Sequence, residues 1–164
     1  KDGEKVIFRD VKDENSGQTY NLTVAQYIAY DLGSDNLGFS NELYTKILQE
    51  AVEHCGEEGF KAEEYFTQHA DINIASVAVR LSVDRFQLAE SLQVKETEQT
   101  LRDRVIHLVA DFRLEYVSSH LKELNERLLQ VKDPQEMQEV MSEIMRTQNL
   151  RNELAKKTGS NILV

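Results

Sequence analysis

The chain has no tryptophan, one cysteine and one proline. A lone cysteine, Cys55, excludes an internal disulfide and points to a reducing compartment, the cytoplasm. One proline and seven glycines in 164 residues leave few breakers, which favours helices over a turn-rich β fold. No run of eighteen apolar residues and no signal-peptide pattern occurs, so no membrane association is expected. Basic surface is scarce as well. The formal net charge is -10; residues 1–96 hold nine Lys/Arg against eighteen Asp/Glu, and residues 97–164 hold ten against eleven. Neither part offers the cationic face that phosphate binding needs, so a protein or small-molecule partner is expected rather than nucleic acid.

Motifs of known chemistry are absent too. There is no P-loop, no glycine-rich dinucleotide turn and no zinc spacing. The residues three before His54, His69, His107 and His120 are Ala51, Phe66, Arg104 and Val117, so the Glu-x-x-His pattern of di-metal bundles is missing. What remains, 40% hydrophobic and 29% charged residues, is ordinary for a globular protein. A start at Lys1 rather than Met reads as a piece of something longer.

One long stretch is TEQTLRDRVIHLVADFRLEYVSSHLKELNERLLQVK, residues 97–132, with no Gly or Pro. As one helix it spans roughly 50 Å at 1.5 Å per residue. Its apolar positions are Leu101, Val105, Leu108 and Phe112, then Val117, Leu121, Leu124, Leu128 and Val131. Steps of three and four keep one face, whereas the step of five after Phe112 moves the stripe by about 140°. This predicts one helix serving two lobes, with a handover and hinge at Arg113, Tyr116 and Val117.

Ahead of it, residues 1–22 read as a short β-hairpin or as the end of a helix, with the hairpin preferred. Thr23 and Gln26 form a capping box that opens a helix ending at Gly33. Ser40 caps the next helix, with Leu43, Ile47, Leu48, Ala51 and Val52 inward and Gly56 as its stop. A third runs from about Lys61 to His69 and buries Tyr65 and Phe66. Asp71 caps a fourth, with Ile72, Ala75, Val79 and Leu81 inward, and a shorter piece carries Phe86 and Leu88. Helices this short need one another, which predicts a bundle over residues 1–114.

After Lys132, Asp133-Pro134-Gln135-Glu136 reads as an N-cap, a first-turn Pro and a Glu three after the cap. The helix it starts carries all three methionines and stops at Gly159. Folded back on residues 115–132 it makes a two-helix hairpin over 115–164, which leaves apolar side chains uncovered. The predicted class is therefore all-α: a helical bundle joined by a long shared helix to a C-terminal hairpin, with a short N-terminal β-hairpin.

Candidate chemical sites are few. Asp103, His107 and Asp111 have metal-ligand spacing on one helical face, but Arg104 crowds them and nothing else converges. Cys55 beside His54 sits at a helix C-terminus, the wrong end for an activated thiol. Glu50, Glu53, Glu57 and Glu58 read as a solvated face. No catalytic residue, metal or cofactor is expected.

The segments YIAYDLGSDNLGFSNELYTKILQEAVEHC, GFKAEEYF and VDRFQLAE, in that order, resemble the C-terminal region of bacterial DnaG-type DNA primase. The likeness runs from about residue 5 to the end, is strongest across residues 27–90 and is weakest over the first twenty-odd. It implies a non-catalytic helicase-binding domain, a bundle followed by a hairpin, monomeric alone. Its partner would be the N-terminal domain of the hexameric replicative helicase, whose activity it modulates while recruiting primase to the fork. The catalytic core and zinc domain of such a primase lie upstream, which fits the missing Asp-x-Asp pair here. The N-terminal scaffold domain of the helicase itself is the alternative, since the bundle resembles it. The expected contact residues are Met141, Met145, Leu150, Leu154, Ile162, Leu163 and Val164.

Overall fold

The computed structural model describes residues 2–12, 17–34, 37–89 and 97–160, with side chains of 83–89 and 157–160 excepted. These residues form two strands and six helices: β1 (Val6–Lys12), β2 (Thr19–Thr23), α1 (Val24–Ser34), α2 (Glu42–His54), α3 (Ala62–Thr67), α4 (Ile72–Ala89), α5 (Glu98–Leu128) and α6 (Pro134–Ser160). The fold is mostly α with an N-terminal β-hairpin. Contacts divide the chain into Lys1–Val105 and Ile106–Val164, a boundary inside α5 and upstream of residue 114.

In the first unit β1 and β2 pair antiparallel, with register shifts between Val6 and Phe8 and between Phe8 and Val11. Asp10 sits in the second irregularity at φ 53°, a left-handed conformation that Asp tolerates. Its N–H donates to Asn21 Oδ1 at 3.2 Å, so the bulge keeps its hydrogen bond. The hairpin passes directly into α1 through the Thr23/Gln26 capping box. Gln26 N–H donates to Thr23 Oγ1 at 3.3 Å, and Thr23 N–H to Gln26 Oε1 at 3.1 Å.

The chain start is built into the core. Gly3 lies where a side chain would meet the Cβ atoms of Ala25, Ala51 and Ala62, at 3.7–3.8 Å. Ala25 N–H donates to Gly3 O at 3.0 Å and Val24 N–H to Lys5 O at 2.9 Å. Three small residues on α1, α2 and α3 thus make room for backbone, and Phe66 and Ile74 complete the cluster. Ala62 N–H at the start of α3 donates to Glu4 Oε2 at 3.3 Å, where Lys61 makes no side-chain cap.

Several boundaries differ from expectation. Asn41, not Ser40, caps α2, its Oδ1 accepting from Leu43 N–H at 3.0 Å. Helix α1 runs one residue beyond Gly33, whereas α2 ends at His54 with Cys55 as its C-cap, so Gly56 follows its end as expected. The left-handed glycines among the described residues are Gly17 and Gly59. Gly59, at φ 81°, turns the chain into α3. Helix α4 continues through Phe86 and Leu88 as one element, and α6 continues through Gly159 to Ser160.

The inward face of α4 is also different. Ile74 is 0% exposed, whereas Ile72 is 78% exposed and Val79 and Leu81 are exposed as well. Asp71 does cap it, Oδ1 accepting from Asn73 N–H at 3.0 Å. The cap leaves α4's rotation free, and contact with α3 selects Ile74 and Ala78 as the core side.

On α5, Leu101, Val105 and Val109 are buried while Leu108 is 60% exposed, so Val109 replaces Leu108 in the stripe. The buried side therefore drifts by about 40° at each step of four, instead of jumping once after Phe112.

Candidate functional site

In the second unit α6 runs antiparallel to the C-terminal part of α5. Arg127 Nη2 pairs with Glu136 Oε1 at 2.8 Å, His120 Nε2 with Glu143 Oε1 at 3.5 Å, and Arg151 Nε donates to Ser118 Oγ at 3.2 Å. Donation to the Glu136 carboxylate also holds the Arg127 guanidinium above its ordinary pKa. Asp133 caps α6 as expected, with Glu136 N–H donating to its Oδ2 at 2.8 Å.

The buried seam contains Val117 and Leu124 from α5 and Val140 from α6. With about 100° per residue, Val140, Ile144, Thr147, Arg151 and Leu154 stay within about 80° of one another. The seam uses these positions, of which Val140 is buried and Ile144, Thr147 and Leu154 half-buried.

Met137, Met141 and Met145 repeat every four residues and centre about 100° to one side of that seam. They are 38%, 52% and 67% exposed. Leu150, 48% exposed, falls about 80° to the other side. The expected contact set therefore does not share one face: Met141 and Met145 stand together, while Leu150 and Leu154 do not join them. Ile162, Leu163 and Val164 lie outside the described residues.

The two sides of the hairpin differ in chemistry. The Leu150 side holds the cross-helix Arg127–Glu136 ion pair and the His120–Glu143 contact, and further carries Glu139 and Arg146. From Met137 to Asn152 the methionine side of α6 presents Gln138, Ser142, Gln148, Asn149 and Asn152, with Arg151 reaching Ser118 at its border, and α5 adds the exposed Lys122 and Glu126 on the side of Leu129. Leu129 prolongs the bonding of α5, its N–H donating to Asn125 O at 3.4 Å, and falls on the methionine side, 88% exposed. Leu129 and Met137 lie outside the expected contact set, although the four-residue methionine spacing is a sequence signal. Of the expected hinge residues, Arg113 is half-buried, Tyr116 is 40% exposed and Val117 is buried, all within continuous α5.

A polar aromatic cluster in the first unit is the other concentration of functional groups. His69 Nδ1 accepts from Asp71 N–H at 3.0 Å, so Nε2 carries the proton toward Glu50 Oε2 at 2.9 Å. Tyr65 Oη lies 3.4 Å from Glu50 Oε2 and 3.3 Å from His54 Nε2, and His54 Nδ1 is 2.8 Å from Glu57 Oε1. Glu50 is thus a bonded, mostly covered carboxylate rather than part of a solvated face. Burial first, and then Glu50, push the Tyr65 phenol above its ordinary pKa, the reverse of nucleophile activation. The network knits α2 to α3.

Cys55 is buried, with Sγ donating to Val52 O at 3.1 Å. A cleft of about 340 Å³ between α1 and α2 is lined by Leu32, Leu37, Phe39, Leu48 and Val52, with Glu53 as its charged residue. Asp103 and Asp111 are exposed and His107 is half-buried. Among the described residues no group of three or more His, Cys, Asp or Glu side chains is arranged to hold a metal ion. No described helix is long and apolar enough to cross a membrane.

No curated protein and no solved structure matches the chain. Residues 1–162 match the family described as Domain of unknown function (DUF8430), and the chain belongs to that family.

Proposed function

We propose that this chain is a non-catalytic docking domain of a DnaG-type DNA primase. It binds the N-terminal domain of the hexameric replicative helicase in the cytoplasm, brings primer synthesis to the fork and modulates the helicase. The observation that carries this reading is the hairpin: a thin two-helix unit whose second helix leaves Met137, Met141 and Met145 uncovered. Methionine side chains are flexible and polarizable, a common provision for accepting a partner. The ordered segments across residues 27–90 supply the resemblance to primase, and the acidic balance of the chain favours a protein partner over nucleic acid. In this reading the domain uses no cofactor or metal and is monomeric by itself.

The test is co-migration of the chain with the helicase hexamer in size-exclusion chromatography. The chain is expected to co-elute, and deletion of residues 133–164 is expected to abolish binding. A shortened chain that still binds would sink the assignment. Because the truncation also uncovers Val117 and Leu124, Met141→Lys, an exposed position with helicity checked by circular dichroism, is the fold-sparing variant expected to weaken binding.

A further inference from the structure

The cleft between α1 and α2 belongs to the first unit and takes no part in the docking reading. Its volume of about 340 Å³ falls within the range of about 300–1,000 Å³ that small-ligand sites occupy. Helix α2 contributes Leu48, Gln49, Val52 and Glu53, a one-face series at steps of three and four. Leu32 and Gly33 of α1 stand opposite, and residues 37–39 form one wall. That wall is tied to both helices. Leu37 N–H donates to Leu32 O at 2.9 Å, and Phe39 packs edge-on against Tyr44 at 6.1 Å.

We propose that this cleft binds a small molecule with an apolar body and one cationic head, an alkylammonium or arylalkylammonium. The room comes from two glycines. Gly33 and Gly38 both line the cleft, and no atom stands within 4 Å of where a Cβ would point from either. Neither has a left-handed φ, so the backbone does not demand glycine there, and their effect is to leave the cleft unfilled. The charge comes from α2. Glu50 is taken by His69 and Tyr65, and Glu57 by His54. Glu53, between them, has no hydrogen-bond or ion-pair partner among the described residues. An ammonium can stay partly hydrated beside Glu53 while its apolar body leaves water against Leu32, Leu48 and Val52. Phe39 adds an aromatic ring to the lining, a surrounding that favours a cation over an anion. An anionic ligand would meet Glu53 inside a unit holding twenty Asp/Glu against eleven Lys/Arg. A neutral one would gain nothing from the carboxylate.

The experiment is an amide NMR titration of the isotope-labelled full chain at constant ionic strength. Three probes share one ring and differ in charge: phenethylammonium, 2-phenylethanol and 3-phenylpropanoate. Phenethylammonium is expected to give saturable shifts at Gly33, Gly38, Leu48 and Val52. It should bind about threefold tighter than the alcohol, with the carboxylate weakest, as for one partly exposed charge pair. Glu53→Gln is expected to remove the cation's advantage and leave the alcohol unchanged. Gly33→Leu, which fills the space, is expected to abolish binding of all three, whereas Tyr30→Leu, exposed on α1 outside the lining, keeps it. The amide spectrum of each variant reports its fold, and Glu53→Gln carries the test should Gly33→Leu misfold. Equal affinity for cation and carboxylate, or a cation affinity unmoved by Glu53→Gln, overturns the charge selection. Shifts that fail to saturate at the cleft, or that fall along Met137, Met141 and Met145 instead, overturn the site.

Discussion

Ile72 and Ile74 stand two positions apart on α4, and their surroundings are opposite. Truncating the fully buried Ile74 removes methyl groups from the Ala25, Ala51, Ala62 and Phe66 cluster. Ile74→Ala is expected to cost about 2–5 kcal/mol in urea denaturation, and Ile72→Ala to stay within about 0.5 kcal/mol. The reverse order would return α4 to the rotation read from its sequence. Thr23 makes a separate, local contribution. Its hydroxyl closes one half of the capping box at the junction of β2 and α1, so Thr23→Ala is expected to cost about 1 kcal/mol. Thr23→Ser, retaining the acceptor, should recover most of that loss in the same measurement.

These residues also mark what was legible. Thr23, Asp71 and Asp133 were readable as caps because each acts on backbone N–H groups two or three positions along. Helix α4 was misread because Ile72, Ile74, Val77, Val79 and Leu81 allow more than one apolar face. Which face turns inward is decided by what α3 places opposite, and that information lies outside the segment. Glu50 was misjudged for the same reason: neither Tyr65 nor His69 is near it in sequence.

At the scale of elements, α5 and α6 set the character of the second unit. The expected helix over 97–132 is observed as Glu98–Leu128, opened by a reciprocal pair in which Thr100 N–H donates to Thr97 Oγ1 at 3.2 Å and Thr97 N–H to Thr100 Oγ1 at 2.9 Å. The length of α5 was legible; its Thr97/Thr100 cap and the placement of Val109 were not, the latter because Leu108 and Val109 are adjacent and equally apolar. On α6 the sequence places the methionines on one helix but does not sort them from Leu150. Counting apolar residues does not reveal sidedness; only after Val140 is placed in the seam do the others acquire a side. Within α5, Ser118 Oγ donates to Leu114 O at 2.7 Å and accepts from Arg151. Ser118→Ala should therefore lower the melting temperature followed by circular dichroism, since Ser118 contributes to closure of the hairpin.

Over the whole molecule, charge is distributed unequally. Residues 1–105 hold eleven Lys/Arg and twenty Asp/Glu, and residues 106–164 hold eight and nine. Much of the first unit's acidity is solvated, but Glu98 and Asp71 are among the carboxylates that link elements. Arg9 Nη2 meets Glu98 Oε2 at 2.7 Å, tying β1 to the start of α5, and Lys46 Nζ meets Asp71 Oδ2 at 3.2 Å, tying α2 to the cap of α4. The hydrogen bond from Arg9 holds Glu98 below its ordinary value of 4.5. Backbone donation from Asn73, then Lys46, holds Asp71 below 3.8. Both pKa values are depressed on folding, so the stabilisation is complete above the unfolded values and is lost as pH falls through the lower folded ones. Urea midpoints should thus change little from pH 7 to pH 5 on this account and decline below about pH 4. Glu98→Gln should flatten part of that decline, and a midpoint that rises on acidification would contradict the linkage.

The lodging of the N-terminus in the core has a kinetic consequence. Glu4 reaches Ala62 across 58 positions, Arg9 reaches Glu98 across 89, and Asp2 meets Arg104 across 102, at 3.4 Å. Contacts so distant along the chain require long loops to close before they contribute, which slows folding. The α5–α6 hairpin closes through residues as near as Arg127 and Glu136. Stopped-flow refolding should show the hairpin's helical signal recovering first and protection of Ala62 N–H last. During synthesis, residues 2–9 would wait for nearly a hundred later residues before their last partners emerge.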